Sequence, residues 1–401
     1  MSPCARATNS RIHSTPATPP HRRRTIAVPP PCFTAAPCAG HPEPRPARRT
    51  SDMTTLDFPT STAAPLAAHT LDELIGNTPL LRLARLDAGL PGEIYVKLDH
   101  FNIGGSAKDR IAAEIIRDAE ASGQLKPGDR IIDNGAGNTA IGFVLAGIAG
   151  GHPVTLVANP SLAEGKADLL RLLGAEIIWG RADRPFSDPE NWEAIAARHA
   201  DEDPSTWWSH QSASAANPRA HYLGTGPEIW AQTQGRVSAF IAAIATGGTV
   251  SGTGRYLRAR NPEVRVIATD FVQGPNFGKP IVDVIEGRAA APADPEWPHN
   301  IDTELIDQLI FRNKAEAIDL GWWLARTEGV VVGFTSALSL LVARDLAATA
   351  EPGEVIVSFA ADHGRDYLSH EYNAHWLRAN GLAEIADKYQ PAESSSRVAT
   401  A

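Results

Sequence analysis

Three observations predict an α/β fold built on parallel sheets. From Leu71 onward, short apolar runs alternate with stretches of helical apolar period, as expected for parallel strands with helices on both faces. At 401 residues, 43% of them apolar, the chain is long enough for two domains and a large core. No apolar run reaches membrane-spanning length, because the best, Ala140 to Ala149, is broken by Gly150-Gly151-His152-Pro153.

Taken in order, the first 52 residues look unlike the rest. They hold Pro19-Pro20, Pro29-Pro30-Pro31 and Arg22-Arg23-Arg24, no lysine and no helical apolar period, so the segment cannot bury enough surface to order itself. A disordered tail, an organelle transit peptide and translated upstream frame compete. The prolines count against an amphipathic transit helix. Met53, the only methionine after Met1, stands at the composition change and is the favoured start. Strands are expected at Glu93 to Leu98, Arg130 to Asp133, Pro153 to Val157, Glu176 to Trp179, Ala239 to Ala243, Val264 to Thr269 and Val355 to Phe359. Helical patterns such as Ile111 to Ala121, Asn138 to Ala149 and Glu164 to Leu173 lie between them. Past about Gly381 the tail with Glu393-Ser394-Ser395-Ser396-Arg397 reads as disordered, and no internal repeat is evident.

The formal charge of −9 is unevenly spread. Residues 1 to 52 carry eight arginines against Glu43 and Asp52, or +6, which leaves about −15 for the remainder. An acidic body argues against nucleic-acid binding. All three cysteines, Cys4, Cys32 and Cys38, lie in the first segment. The body therefore has neither disulfides nor a thiolate metal site, and its nucleophile is not a thiol. No His/Asp/Glu cluster shows metal spacing, and Trp207-Trp208 and Trp322-Trp323 read as core or dimer-interface residues.

Three segments carry chemistry on their own residues. In Gly104-Gly105-Ser106-Ala107-Lys108-Asp109-Arg110 a lysine follows a small-residue turn and opens an amphipathic run. Burial beside the positive end of a helix favours a neutral, nucleophilic amine; a solvated lysine capping a helix is the competing reading. Ala245-Thr246-Gly247-Gly248-Thr249 follows an apolar run and precedes a helix. Its glycines let backbone N–H groups approach an anion, and its threonines add hydroxyl donors; a tight turn without a ligand would need the same glycines. Gly135-Ala136-Gly137-Asn138-Thr139 likewise opens a helix.

With Ile75-Gly76-Asn77-Thr78-Pro79-Leu80-Leu81-Arg82-Leu83 upstream, these motifs in this order resemble the fold-type II pyridoxal-phosphate enzymes, in the branch of cysteine synthase and cystathionine β-synthase. The resemblance runs from about Leu71 to about Leu377. It implies two doubly wound α/β domains of tryptophan-synthase-β-like fold, with pyridoxal 5'-phosphate in the cleft between them. The larger domain is expected from 70–100 and 215–385, the smaller from 101–214, with disorder at 1–53 and 386–401.

By the same resemblance Lys108 is the Schiff-base lysine and the base for the substrate α-proton. Ala245, Thr246, Gly247, Gly248 and Thr249 form the phosphate cup, with Ala245 where the family has glycine. Asn138 bonds the ring hydroxyl oxygen, while Gly135, Ala136, Gly137, Thr139 and Gln211 hold the substrate carboxylate. A buried amide capping a helix competes for Gln211. The family loop is Thr-Ser-Gly-Asn-Thr, so Gly135 and Ala136 remove two hydroxyl donors. Each is worth about 1.5–3 kcal/mol to an anion where nothing replaces it. Either the site is weakened, and restoring the hydroxyls tightens O-acetylserine, or it is reshaped, and they clash. His363 stands where the family has serine against the pyridine nitrogen; a satisfied core histidine competes. Phe334-Thr335-Ser336-Ala337 departs from a Ser-Ser-Gly turn.

The implied function is β-replacement on an activated serine, O-acetylserine or O-phosphoserine, through an aminoacrylate, giving cysteine or a related β-substituted alanine. A small amino acid and a small nucleophile are the expected partners of a cytoplasmic homodimer, with no nucleic acid, membrane or metal. A serine/threonine dehydratase-type lyase is the rival within the fold. A catalytically impaired paralogue acting as a binding protein is the rival outside it. A chain beginning at Met53 is expected to fold and to bind cofactor as the full chain does; a large drop in melting temperature on truncation would count against this.

Overall fold

The computed structural model describes residues 67–391 except 136, 275, 277 and 290–298. The expectations for the first 53 residues, for Ala136 and for the tail beyond residue 391 lie outside these.

Among the described residues, ten strands form two sheets. The larger contains β1 (Leu80–Arg82), β2 (Glu93–Leu98), β7 (Val237–Ala243), β8 (Arg265–Phe271), β9 (Gln308–Arg312) and β10 (Val355–Ala360), in the order β1-β2-β10-β7-β8-β9. The smaller contains β3 (Arg130–Asp133), β4 (Val154–Ala158), β5 (Glu176–Trp179) and β6 (Thr206–Trp208), in the order β5-β4-β3-β6. Only β1 pairs antiparallel, with β2. β4 and β10 are buried at every residue, as strands covered on both faces must be.

Three helices position the smaller sheet's contribution to the site. The first, α1 (Lys108–Ser122), buries Ile111, Ala112, Ile115, Ile116 and Ala119 on one face and stops at left-handed Gly123. The next, α2 (Asn138–Gly150), is apolar nearly all round, and its first ten residues are mostly buried. It comes close to α1 at Gly142, where a Cβ would stand 2.8 Å from the Lys108 carbonyl oxygen. The third, α3 (Glu164–Leu172), is amphipathic, with Ala167 and Leu170 buried.

A buried ionic cluster ties α1 to the larger sheet. Arg110 donates to both carboxylate oxygens of Asp99 at 2.8 Å and to those of Glu228 at 2.7 and 2.8 Å. Lys97 on β2 is fully buried, 2.6 Å from Glu228 and 2.6 Å from the Thr78 carbonyl. Bidentate geometry and satisfied lone pairs make so much buried charge tolerable.

One sequence expectation is corrected at the C-terminal end. The sequence predicts a disordered tail from residue 386, but helix Ala383–Tyr389 packs Ile385 and Ala386 against Ile318, Trp322 and Leu377. Its short apolar face is readable only against that partner cluster.

Candidate functional site

Strands β7 and β10 end side by side, and a cavity of about 160 Å³ opens at their carboxyl ends, where parallel sheets characteristically hold ligands. Lys108, Asn138, Ala245, Thr246, Gly247 and Thr249 line it, together with Thr335, Ser336, Ala361 and Asp362.

Lys108 is the only lysine among these lining residues. Burial pushes its amine well below the usual range, against the attraction of Asp362 and Asp99. The lysines with rival claims are committed elsewhere: Lys97 in the ionic cluster, and Lys166 to Asp366 at 2.9 Å and Asn138 Oδ1 at 3.0 Å. The turn before Lys108 is braced by Asp109, whose Oδ2 accepts the Gly104 N–H at 2.5 Å.

Opposite Lys108 the chain leaves β7 and starts the helix Gly248–Arg260, which has no side-chain cap at its N-terminus. Gly247 is in the left-handed region at φ +91°, and a Cβ on Gly248 would collide with Asn217 Oδ1. These glycines allow backbone N–H groups to converge at a positive helix end. The Thr246 hydroxyl accepts from Asn217 Nδ2 at 3.1 Å, and that of Thr249 lies 3.1 Å from His221 Nε2. Burial holds His221 neutral, down to about 3. An uncapped helix start with two oriented hydroxyls suits a phosphate, and a buried amine across the cavity suits an aldehyde. The donor set fits pyridoxal phosphate.

The residues expected to hold a substrate carboxylate lie together at the start of α2. A Cβ on Gly135 would stand 3.6 Å from Gln211 Nε2 and 3.6 Å from Thr139 Cβ. Gly137 opens α2 at φ +84°, and a Cβ there would stand 3.6 Å from Lys166 Nζ. Asn138 lines the cavity and donates to Asp362 Oδ2 at 2.8 Å.

Sequence reasoning missed Asp133. It is fully buried, one oxygen accepts the Ser209 hydroxyl, and the other has no partner among the described residues. A Cβ on Gly135 would stand 2.5 Å from that second oxygen. Gly135 is therefore a glycine because a carboxyl group already fills the space, which favours a reshaped loop over a weakened one. Gly135→Thr is expected to lower stability by roughly 1–3 kcal/mol through overpacking, without tightening O-acetylserine; thermal melts and substrate titrations measure both.

Burial raises the Asp133 carboxyl to about 7, against the Ser209 hydrogen bond. An acid raised on folding stabilises the fold below its unfolded value and loses that contribution as pH climbs through the folded one. Wild-type stability should thus fall between roughly pH 4 and the folded value near 7. Asp133→Asn is expected to flatten that fall, by an amount on the order of a few kcal/mol. Melting curves across this range would show parallel profiles for the two proteins if Asp133 did not titrate there.

His363, expected against the cofactor ring, is not among the residues lining the cavity. It follows β10 by three residues; its Nδ1 accepts the Arg365 N–H at 2.9 Å, and its ring meets His100 edge-on at 5.0 Å. Its neighbour Asp362 faces the cavity instead. Side chains at the end of a strand alternate sides, so only the point where β10 stops decides between them.

The model of the pyridoxal-phosphate dependent enzyme family matches residues 71–362. Cysteine synthase 1 of Emericella nidulans is 34% identical over 334 residues, covering 80% of this chain and 88% of that protein. Cystathionine beta-synthase of Rattus norvegicus is 33% identical over 316 residues; this chain spans 56% of its length, and the match covers 77% of this chain. The crystal structure of O-ureido-L-serine synthase superposes with a TM-score of 0.66 at 30% identity, covering 76% of this chain and 94% of that one. A hydrogen sulfide-producing enzyme from Fusobacterium nucleatum also superposes with a TM-score of 0.66, at 26% identity over 76% of this chain and 99% of that one.

Proposed function

Since this chain belongs to the pyridoxal-phosphate dependent enzyme family, we propose that it catalyses β-replacement on an activated serine, such as O-acetylserine or O-phosphoserine. The single observation that carries the reading is the buried Lys108 amine facing an uncapped, glycine-opened helix start across one cavity. When bound, pyridoxal phosphate supplies an aldehyde that bonds a primary amine and a ring that withdraws electrons from the substrate Cα. The N–H groups opening Gly248–Arg260, with Thr246 and Thr249, hold the phosphate. Asn138 orients the ring through its phenolic oxygen. Gly135, Gly137, Thr139 and Gln211, with the start of α2, hold the substrate carboxylate; Ala136 belongs to the same loop by sequence.

Lys108 supplies the amine that anchors the aldehyde. Its burial favours the neutral amine, the form that takes the α-proton at Nζ once substrate is bound. Acetate or phosphate leaves Cβ after the α-proton is taken, the nucleophile adds in its place, and Lys108 returns the proton to Cα, giving cysteine with sulfide or a related β-substituted alanine otherwise.

The O-ureido-L-serine synthase likeness and the glycine at position 135 support a second version, in which the nucleophile is not sulfide but another small donor. A cytoplasmic homodimer is part of the reading, and sedimentation measures the assembly. The test is an absorbance spectrum of the purified protein with O-acetylserine, followed by addition of sulfide. A cofactor band that shifts with the first and returns with the second, with formation of cysteine, is the expected result. Pyruvate release without replacement would convert the reading to a lyase, and a protein with no cofactor band would be a binding paralogue.

A further inference from the structure

Among the residues lining the cavity, Asp362 is the only carboxylic acid, and it has no part in the function just described. The turn after β10 delivers it 4% exposed. Its Oδ2 accepts from Asn138 Nδ2 at 2.8 Å and from the Tyr367 hydroxyl at 2.6 Å. Its Oδ1 is buried with no partner among the described residues. Gly333 makes room for that oxygen, since a Cβ there would collide with it. A buried carboxylate with unused lone pairs is costly, and one at a ligand cavity is poised for a donor the ligand brings.

The cofactor has few places to bring one. Its phosphate belongs at Ala245–Thr249 and its aldehyde at Lys108, which leaves the phenolic oxygen and the ring nitrogen for the other polar lining groups. Asn138 offers a donor amide, and the Ser336 hydroxyl already accepts the Ala361 N–H at 3.1 Å. Of the two remaining cofactor atoms, the nitrogen alone can carry a proton as a cation, and Asp362 is the one anion available to it. We propose that Asp362 accepts a hydrogen bond from the protonated ring nitrogen of bound pyridoxal phosphate, and that Asp362 rather than His363 sets the protonation state of the ring.

The surroundings agree. Burial raises the Asp362 carboxyl, while the Tyr367 and Asn138 donors and Lys166 oppose the rise and Asp366 adds to it. Lys108 faces it from α1 and His363 adjoins it; burial, followed by Arg365, pushes His363 below the usual histidine range. A cation set against Asp362 offsets the cost of its burial.

The inference rests on the cofactor assignment and is tested so that the two fail separately. Full-length protein is loaded with pyridoxal phosphate isotopically labelled at the ring nitrogen, and the nitrogen resonance is followed by NMR against pH. The wild type is expected to give a pyridinium signal through neutral and mildly alkaline pH. His363→Ala should keep that signal, and Asp362→Ala should give the neutral pyridine one. Cofactor uptake with a neutral nitrogen in the wild type would overturn the proposal alone, as would a signal that His363→Ala shifts and Asp362→Ala does not. A wild-type protein that took up no cofactor would overturn the family reading as well. Should Asp362→Ala not fold, wild-type affinity for the analogue with carbon in place of the ring nitrogen decides: about tenfold weaker binding is expected, and equal affinity refutes the contact.

Discussion

Lys108→Ala is expected to yield a folded protein that carries no borohydride-reducible cofactor adduct and has lost β-replacement. Removing the base for the α-proton alone costs roughly 10²–10⁴-fold, and losing the anchor for the aldehyde adds to it. The fold should survive, because the Lys108 amine is held in the cavity against a desolvation cost. Melting temperature should stay level or rise, the stability–activity trade-off expected of a strained functional group. Reduction with borohydride followed by mass spectrometry of the peptides reads the result directly. An adduct surviving on Lys97 or Lys166 would move the anchor. Both would first have to leave the partners that hold them, Glu228 and Thr78 for one, Asp366 and Asn138 for the other.

The largest loss of stability is expected from Glu228→Ala. Glu228 is the anion shared by Arg110 and Lys97, and its removal strands Lys97, fully buried, beside a guanidinium left with Asp99 alone. Breaking a buried pair by deleting one partner costs about 3–5 kcal/mol, a large part of a typical total. Burial by itself would raise the Glu228 carboxyl, yet hydrogen bonding and charge from Arg110, with Lys97, hold it down at about 2. An acid depressed on folding stabilises above its unfolded value and loses that contribution as pH falls through the folded one. The wild type should therefore weaken from roughly pH 4 downward and the variant less so. Chemical denaturation at neutral and acidic pH measures both, and a variant within about 0.5 kcal/mol of wild type would show the cluster to be dispensable. Because Arg110 stands two residues from Lys108 on α1, cofactor affinity should fall along with stability.

Much of this architecture was legible before any coordinates. Strands β2, β3 and β5 have the bounds that their apolar runs predict, and β4, β7, β8 and β10 differ by one or two residues at one or both ends. The three strands not expected, β1, β6 and β9, are all sheet edges. Edge strands are short and half-exposed, so pairing with a neighbour rather than a run of apolar residues makes them strands. Helix Ala383–Tyr389 escaped for a similar reason: its two buried residues have meaning only beside Trp322 and Leu377.

For the site, sequence alone determined the family, the lysine in its small-residue turn, the glycine-opened helix start at Gly247–Gly248 and the altered loop at Gly135. These are local, because backbone conformation and the ligand chemistry of a turn are set within a few neighbouring residues. What only the tertiary structure decided are the relations between distant segments. Asp133 fills the space that Gly135 leaves, Lys166 reaches from α3 to Asp366, and Glu228 serves cations on β2 and α1. That Asp362 lines the cavity and His363 does not belongs with them. It depends on which side of the sheet the last residues of β10 present, and a one-residue change in where a strand ends reverses that without altering its pattern of apolar residues.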